Sequence, residues 1–255
     1  MNKINLIEYP PQTGAYIVKP ITRQSTGRWG DFKVARLPIS VGKEYHEGEM
    51  FEATVKWCAA RFDHVQVCVS DTAQRYNLAF EQGLDAETAF TKSLKAGDEW
   101  ITRNKPLLDL LPSYNMTRWE EWRTRPDFAT RLQQMENSYA VNTDFRDSID
   151  TTVMDVWTRK SSALGPTPLS YRQNFLDMSH RYIMEELVVY SMRFENLSAI
   201  DVYPGTDLAV TTRFQGTPPP GVPVGISQRY LCRIKLSHNK DFANVTASLP
   251  TVQTA

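Results

Sequence analysis

The chain has 255 residues, 41% of them hydrophobic and 11% aromatic, a globular composition that excludes a disordered or fibrous chain. Lys and Arg number 29 and Asp and Glu number 29, so the formal net charge is zero and any nucleic-acid contact has to come from a local patch. Cys58, Cys68 and Cys232 are widely spaced and contain no CxxC pair, which argues against a disulfide scaffold or a zinc site and makes a reducing cytoplasm the expected location. This length predicts one domain over residues 1–255, with 1–31 and 243–255 peripheral. The first residues, MNKINLIEYPPQTG, do not read as a signal peptide, and no apolar run reaches the length of a membrane span.

In chain order, residues 15–18 suggest a short strand and residues 32–40 (FKVARLPIS falls within 32–40) a longer one, followed by a glycine-bearing loop and a helix over 49–61. The run VQVCVS at 65–70 is a short apolar segment bounded by polar residues, as a buried strand would be. A helix is expected from 71 to 80, capped by Asp71 or Thr72, and another from 85 to 104, ended by Pro106. Residues 107–111 read as a third strand. A long polar helical stretch opens at Pro126 and runs to about residue 160, with a break near Asn142. An amphipathic helix covers 170–193, a strand covers 199–203 and stops at Pro204-Gly205, and a last strand covers 228–236. Strands alternating with helices over the first 110 residues predict an α/β fold with a central parallel sheet flanked by helices. In such sheets ligands bind beyond the carboxyl ends of the strands, which singles out Ser40, Ser70-Asp71 and Tyr203-Pro204.

Several chemistries lack their motifs. The sequence has no GxGxxG, no GxxxxGK[ST] and no GxSxG, which removes support for a dinucleotide site, a P-loop or a nucleophile elbow. The four histidines, His46, His64, His180 and His238, form no HExxH or HxH, so neither metal nor cofactor is expected. Taken singly, the polar residues at strand ends are ordinary: Ser40 before a glycine loop is a turn serine, and Tyr182 and Glu186, four apart, are a surface pair on one helix face.

Their order along the chain changes that. Ile39-Ser40-Val41-Gly42-Lys43-Glu44-Tyr45 is followed by Trp57, then Arg61-Phe62, then the strand that leads into Asp71; far downstream come Tyr182-Ile183-Met184-Glu185-Glu186 and Val202-Tyr203-Pro204. This order resembles the tRNA-dependent cyclodipeptide synthases over residues 32–203. Lys43 and Pro204 stand where one subgroup of that family has Asn and His, so the chain is similar to the other subgroup, called XYP.

The resemblance implies a Rossmann-like fold similar to the catalytic domain of class I aminoacyl-tRNA synthetases. It implies an activity that joins two aminoacyl groups from two aminoacyl-tRNAs into a 2,5-diketopiperazine. The ester is already activated, so neither ATP nor metal is implied. Ser40 would carry the first aminoacyl group, Tyr182 and Glu186 would hold its α-ammonium, and Tyr203 would bond the acyl group or relay a proton. Backbone N–H groups after Ser40, with Gly42 allowing close approach, would form an oxyanion hole. Arg36, Pro38, Cys68, Ser70 and Val189 would line the amino-acid pocket, and Arg36 and Ser70 would favour a polar or charged substrate. Lys92, Lys95 and Arg103 on the 85–104 helix would contact tRNA, and Arg118, Arg123, Arg125 and Arg131 form a second basic cluster. No membrane partner is implied, and a monomer is expected. Two alternatives stay open at the level of sequence: another acyltransferase that uses charged tRNA, and a non-catalytic tRNA-binding domain.

Overall fold

The computed structural model describes residues 14–21, 31–162, 168–195, 198–206 and 208–239. Six strands form one sheet: β1 (Tyr16–Pro20), β2 (Val34–Ser40), β3 (His64–Ser70), β4 (Tyr114–Arg118), β5 (Ala199–Tyr203) and β6 (Leu231–His238). Their spatial order is β1-β6-β5-β2-β3-β4. The helices are α1 (Gly48–Ala59), α2 (Arg75–Gln82), α3 (Ala86–Leu108), α4 (Trp119–Arg123), α5 (Phe128–Val141), α6 (Thr143–Ser161), α7 (Leu169–Phe194) and α8 (Ala209–Arg213).

From β6 through β4 every neighbouring pair is parallel, while β1 runs antiparallel along β6. The architecture is therefore a mixed α/β sheet of mostly parallel strands flanked by helices. The 1–31 segment, expected to be peripheral, contributes the edge strand β1. Residues 243–255 lie outside the described residues. None of the described helices is long and apolar enough to cross a membrane.

Alternation along β2 explains how the layers form. Ala35, Leu37 and Ile39 point to one face, where they pack with Phe51, Val55 and Trp57 of α1 and Trp100 and Leu108 of α3. The opposite parity, Arg36, Pro38 and Ser40, faces the layer that contains α7. That layer has its own core, in which Leu187 and Val188 of α7 meet Met135 of α5 and Phe145 and Ile149 of α6. Ser40 thus ends β2 on the α7 side. Between β2 and β5 the sheet changes the direction in which it was built, β3 and β4 extending one way and β6 and β1 the other. Such a switch point leaves a crevice at the strand ends.

Two local expectations are corrected, and a third is met. Residues 107–111 are not a strand: Leu108 closes α3, and Leu111 follows it into the core. A short apolar run reads alike as buried strand or helix end. The strand of this region is β4, whose polar sequence YNMTR hid it. Pro106 lies inside α3 rather than ending it. So near the helix end the proline forfeits one backbone bond, and the chain closes two residues later with the Asp109 N–H on the Lys105 carbonyl at 2.9 Å. The long polar stretch divides at Asn142, whose side-chain oxygen accepts the Phe145 N–H at 3.0 Å and caps α6.

Candidate active site

The turn after β2 is built by its glycine. Gly42 has φ of 86°, the left-handed region, and the Lys43 N–H reaches back to the Ser40 carbonyl at 3.2 Å. The chain then makes a 3-10 turn over Glu44–His46, which brings two rings back over the strand end. His46 is fully buried, and its Nδ1 accepts the backbone N–H of Ser40 at 2.9 Å. The Ser40 hydroxyl lies 3.3 Å from the Tyr203 hydroxyl at the end of β5, and that oxygen lies 3.0 Å from the Tyr45 hydroxyl. A Cβ on Gly205 would fall 2.4 Å from the Tyr203 ring, so a glycine there lets the ring lie across its own chain.

On α7, Tyr182, Glu186 and Tyr190 follow at i, i+4 and i+8 and share one face. Tyr190 donates to Glu186 Oε1 at 2.7 Å. Burial, and then the charge of Glu186, push the Tyr182 and Tyr190 phenols well above their ordinary range, so both stay protonated. The neighbouring Glu185 points elsewhere, as the helical rotation of about 100° per residue requires. It is buried among Arg75 at 2.5 Å, Trp119 Nε1 at 2.6 Å, Arg123 at 3.1 Å and the Tyr76 hydroxyl at 3.1 Å. Glu185 therefore ties α7 to α2 and α4, and Glu186 lines the cavity. Ser40, Gly42, Lys43, Tyr182, Glu186, Tyr190 and Tyr203 all line one cavity of about 480 Å³, which also receives Asp71, Gln74 and Asn77 from beyond β3 and Arg229 from before β6.

The fold has counterparts among solved structures. A CDPS from Fluoribacter dumoffii superposes with a TM-score of 0.74 at 23% identity, over 88% of this chain and 99% of that one. The chain has the cyclodipeptide synthase fold. A Mycobacterium tuberculosis protein, described as demonstrating that cyclodipeptide synthetases are related to type I tRNA synthetases, matches with a TM-score of 0.62 at 14% identity, over 94% of this chain and 100% of that one. A cyclodipeptide synthase from Candidatus Glomeribacter gigasporarum bound to Phe-tRNAPhe matches with a TM-score of 0.59 at 18% identity, over 87% of this chain and 91% of that one. No family model and no curated protein matches the sequence.

The remaining expected residues sit elsewhere than on the cavity wall. Arg36 shares a strand face with Ser40, but its Nε pairs with Asp201 Oδ1 at 2.8 Å and its guanidinium donates to the carbonyls of Arg193 and, at 3.1 Å, Ala199. The carboxylate expected of a substrate is thus supplied by β5, and the inference of a polar substrate from Arg36 does not hold. Pro38, Cys68, Ser70 and Val189 are buried, Val189 within the α7 core, and none of them lines the cavity. Ser70 sits beside Ser40 in the sheet register, and Pro38 beside Cys68.

The basic residues are also largely engaged. On α3, Lys92 donates to Gln82 at 3.1 Å, Lys95 lies 3.6 Å from Glu99, and Arg103 grips Glu47 at 2.8 Å and 3.1 Å. The second cluster is structural: Arg118 holds the fully buried Asp71, Arg123 holds Glu120 and Glu185, and Arg125 and Arg131 hold Asp127.

Sequence reasoning missed Tyr190, Tyr45, His46 and Arg229. Tyr190 was visible as the next step of the four-residue series begun by Tyr182 and Glu186. His46, by contrast, is placed by turn geometry. Burial pushes its imidazole from 6.5 down to about 3. In the unfolded chain the ring takes a proton below 6.5, whereas the folded ring does not until about 3, so stability held above 6.5 drains away as pH falls through that window. His46→Asn, which keeps an acceptor near the Ser40 N–H but does not titrate, should flatten the curve there by up to about 1.4 kcal/mol per pH unit. Denaturant titrations at several pH values measure this; parallel curves for the two proteins would refute it.

Proposed function

We propose that this chain is a tRNA-dependent cyclodipeptide synthase: an aminoacyltransferase that takes aminoacyl groups from two aminoacyl-tRNAs and closes them into a 2,5-diketopiperazine, by a ping-pong route through aminoacyl-Ser40. The observation that carries the reading is the convergence of Ser40, Tyr182, Glu186 and Tyr203 on one cavity, at the ends of β2 and β5, in a fold shared with cyclodipeptide synthases. A non-catalytic domain has no need of that convergence. The neighbour bound to Phe-tRNAPhe supports aminoacyl-tRNA as the substrate class.

In this reading the Ser40 hydroxyl attacks the ester carbonyl, and the exchange of one ester for another is close to thermoneutral, so placement does most of the work. The amides of Ser40 and Lys43 are already engaged, which leaves those of Val41 and Gly42 for the oxyanion. Glu186, set between two protonated phenols, holds the substrate ammonium and takes a proton from the attacking amine; an α-amino pKa near ~8 makes that transfer easy at neutral pH. Lys43 and Pro204 support the XYP-type subgroup.

Lys92, Lys95 and Arg103 on α3 are the tRNA contacts. Their surface pairings cost little to exchange for phosphates, and Lys43 and Arg159 at the cavity extend the positive rim. Aminoacyl-tRNA is a cytoplasmic substrate, so the reading carries that location with it.

The test is expression in a heterologous bacterium followed by mass spectrometry of the medium. A new cyclic dipeptide mass is expected. A linear or transferred acyl product in its place would support a different acyltransferase, and tRNA binding with no product would overturn the catalytic reading.

A further inference from the structure

Beside the cavity lies a hydroxyl that the proposed reaction does not yet use. Tyr45 does not line the cavity, but its phenol oxygen stands 3.0 Å from that of Tyr203, which in turn stands 3.3 Å from Ser40 Oγ. The ring is fixed from two sides: it meets His46 edge-on at 4.6 Å between centroids and Tyr203 edge-on at 6.0 Å. His46 is itself immobilised, because its Nδ1 holds the Ser40 N–H and its carbonyl accepts the Trp100 indole N–H at 2.9 Å. One small aromatic block therefore holds both the backbone and the hydroxyl partner of Ser40.

We propose that Tyr45 is a positioning residue for Ser40: it donates to the Tyr203 oxygen, which turns the Tyr203 proton toward Ser40 Oγ and leaves the serine's own proton facing the cavity.

A phenol has one proton to give. Burial, with Tyr203 and Glu186 adding to it and a hydrogen bond with the Ser40 side chain opposing it, raises the Tyr45 phenol far above its ordinary range, so it stays protonated and its proton needs an acceptor, for which the Tyr203 oxygen at 3.0 Å is placed. With the Tyr203 oxygen receiving that proton, the Tyr203 hydroxyl is directed along its contact to Ser40. The chain of donation runs Tyr45 to Tyr203 to Ser40, away from solvent and toward the nucleophile. During acyl transfer the bond from Oγ to the acyl carbon forms, the bond from the acyl carbon to the ribose oxygen breaks, and the serine proton leaves on the cavity side to that departing oxygen. In the second half the bond from the amine nitrogen to the acyl carbon forms and the bond from the acyl carbon to Oγ breaks; the Tyr203 hydroxyl hydrogen-bonds the developing charge on Oγ, and the amine's proton, taken up by Glu186, returns across the cavity to Oγ. Ser40, Tyr203 and Glu186 therefore end protonated as they began. Tyr45 does not line the cavity, and it acts on Ser40 from behind, chiefly through Tyr203.

This inference rests on the acyl-Ser40 reading, and its test separates the two. Tyr45→Phe keeps the ring against His46 and removes only the donor. Single-turnover labelling of Ser40 from aminoacyl-tRNA should slow by about tenfold, the factor expected of one ordinary hydrogen bond, with tRNA affinity and thermal midpoint unchanged. Incorporating 3,5-difluorotyrosine at position 45, a more acidic and stronger donor, should restore or exceed the wild-type rate, which a purely structural role does not predict. Labelling by Tyr45→Phe at the wild-type rate overturns the inference and leaves the acyl-Ser40 reading standing. Equal slowing in Tyr45→Phe and the fluorinated protein overturns it as well. An unlabelled wild type overturns the acyl-Ser40 reading itself.

Discussion

Ser40→Ala should lower cyclic dipeptide formation by at least about 10⁴-fold, the scale seen when a nucleophile is removed from a site that otherwise still binds. After incubation with labelled aminoacyl-tRNA and denaturation, label should remain on the wild type and be missing from the variant. The fold should be unaffected. Ser40 is half-buried, its side chain gives up its contacts to Tyr203 at 3.3 Å and to Tyr45, and those two tyrosines keep each other as partners. Its backbone bond to His46 does not depend on the side chain. Loss of product without loss of stability therefore points to chemistry. A variant that makes normal amounts of product would reduce Ser40 to a turn residue.

The second large effect is on stability. Asp201 lies between two guanidinium groups, with Oδ1 2.8 Å from Arg36 and Oδ2 2.9 Å from Arg229, and all three side chains are at least 95% buried. Phe194 stacks against both arginines, 5.4 Å from one and 5.2 Å from the other. Removing the carboxylate they share would bring two guanidinium groups together without it in a place that water barely reaches. Asp201→Ala should cost about 3–5 kcal/mol, a fall in Tm of roughly 10 °C for a chain of this size. Asp201→Asn, which keeps an oxygen acceptor but not the charge, should lose less. Calorimetry decides it: a change in Tm below 2 °C for the alanine variant, about what 0.5 kcal/mol gives, would mean that water compensates the pair. Because Arg229 also lines the cavity, this triad joins the floor of the sheet to the candidate site.

Much of this was legible in the sequence where the signal is local. A strand ending in Ser40, the glycine turn after it, and the i, i+4 face of Tyr182 and Glu186 each depend on a few consecutive residues. The family resemblance put Arg36 toward the amino-acid pocket, and it does share a strand face with Ser40. What the resemblance does not give is the partner: Asp201 lies in β5, and its pairing with Arg36 follows from the register of β2 against β5, a non-local fact. Arg36 was for that reason assigned a substrate to neutralise it when the protein neutralises it itself. The Arg118, Arg123, Arg125 and Arg131 cluster, noted in the sequence without a partner, is held by carboxylates both near in sequence (Glu120, Asp127) and far (Asp71, Glu185). Tyr45 and His46 were hidden for a different reason. The positive φ of Gly42 folds the next residues back over the strand, and nothing in the letters Glu-Tyr-His marks where that turn will aim them.

The adjacency of β2 and β5 also orders events in time. Ser40 is made early and Tyr203 comes 163 residues later, so their contact closes a loop whose entropy cost is on the order of 4–5 kcal/mol by the logarithmic law. A growing chain on the ribosome, in a surrounding crowded with charged tRNA, carries its serine for most of its synthesis with no phenol to direct it and no α7 acid to hold a substrate amine. In the proposed chemistry, reactivity then begins only once β5 has emerged and docked, which protects the unfinished chain from acylating itself.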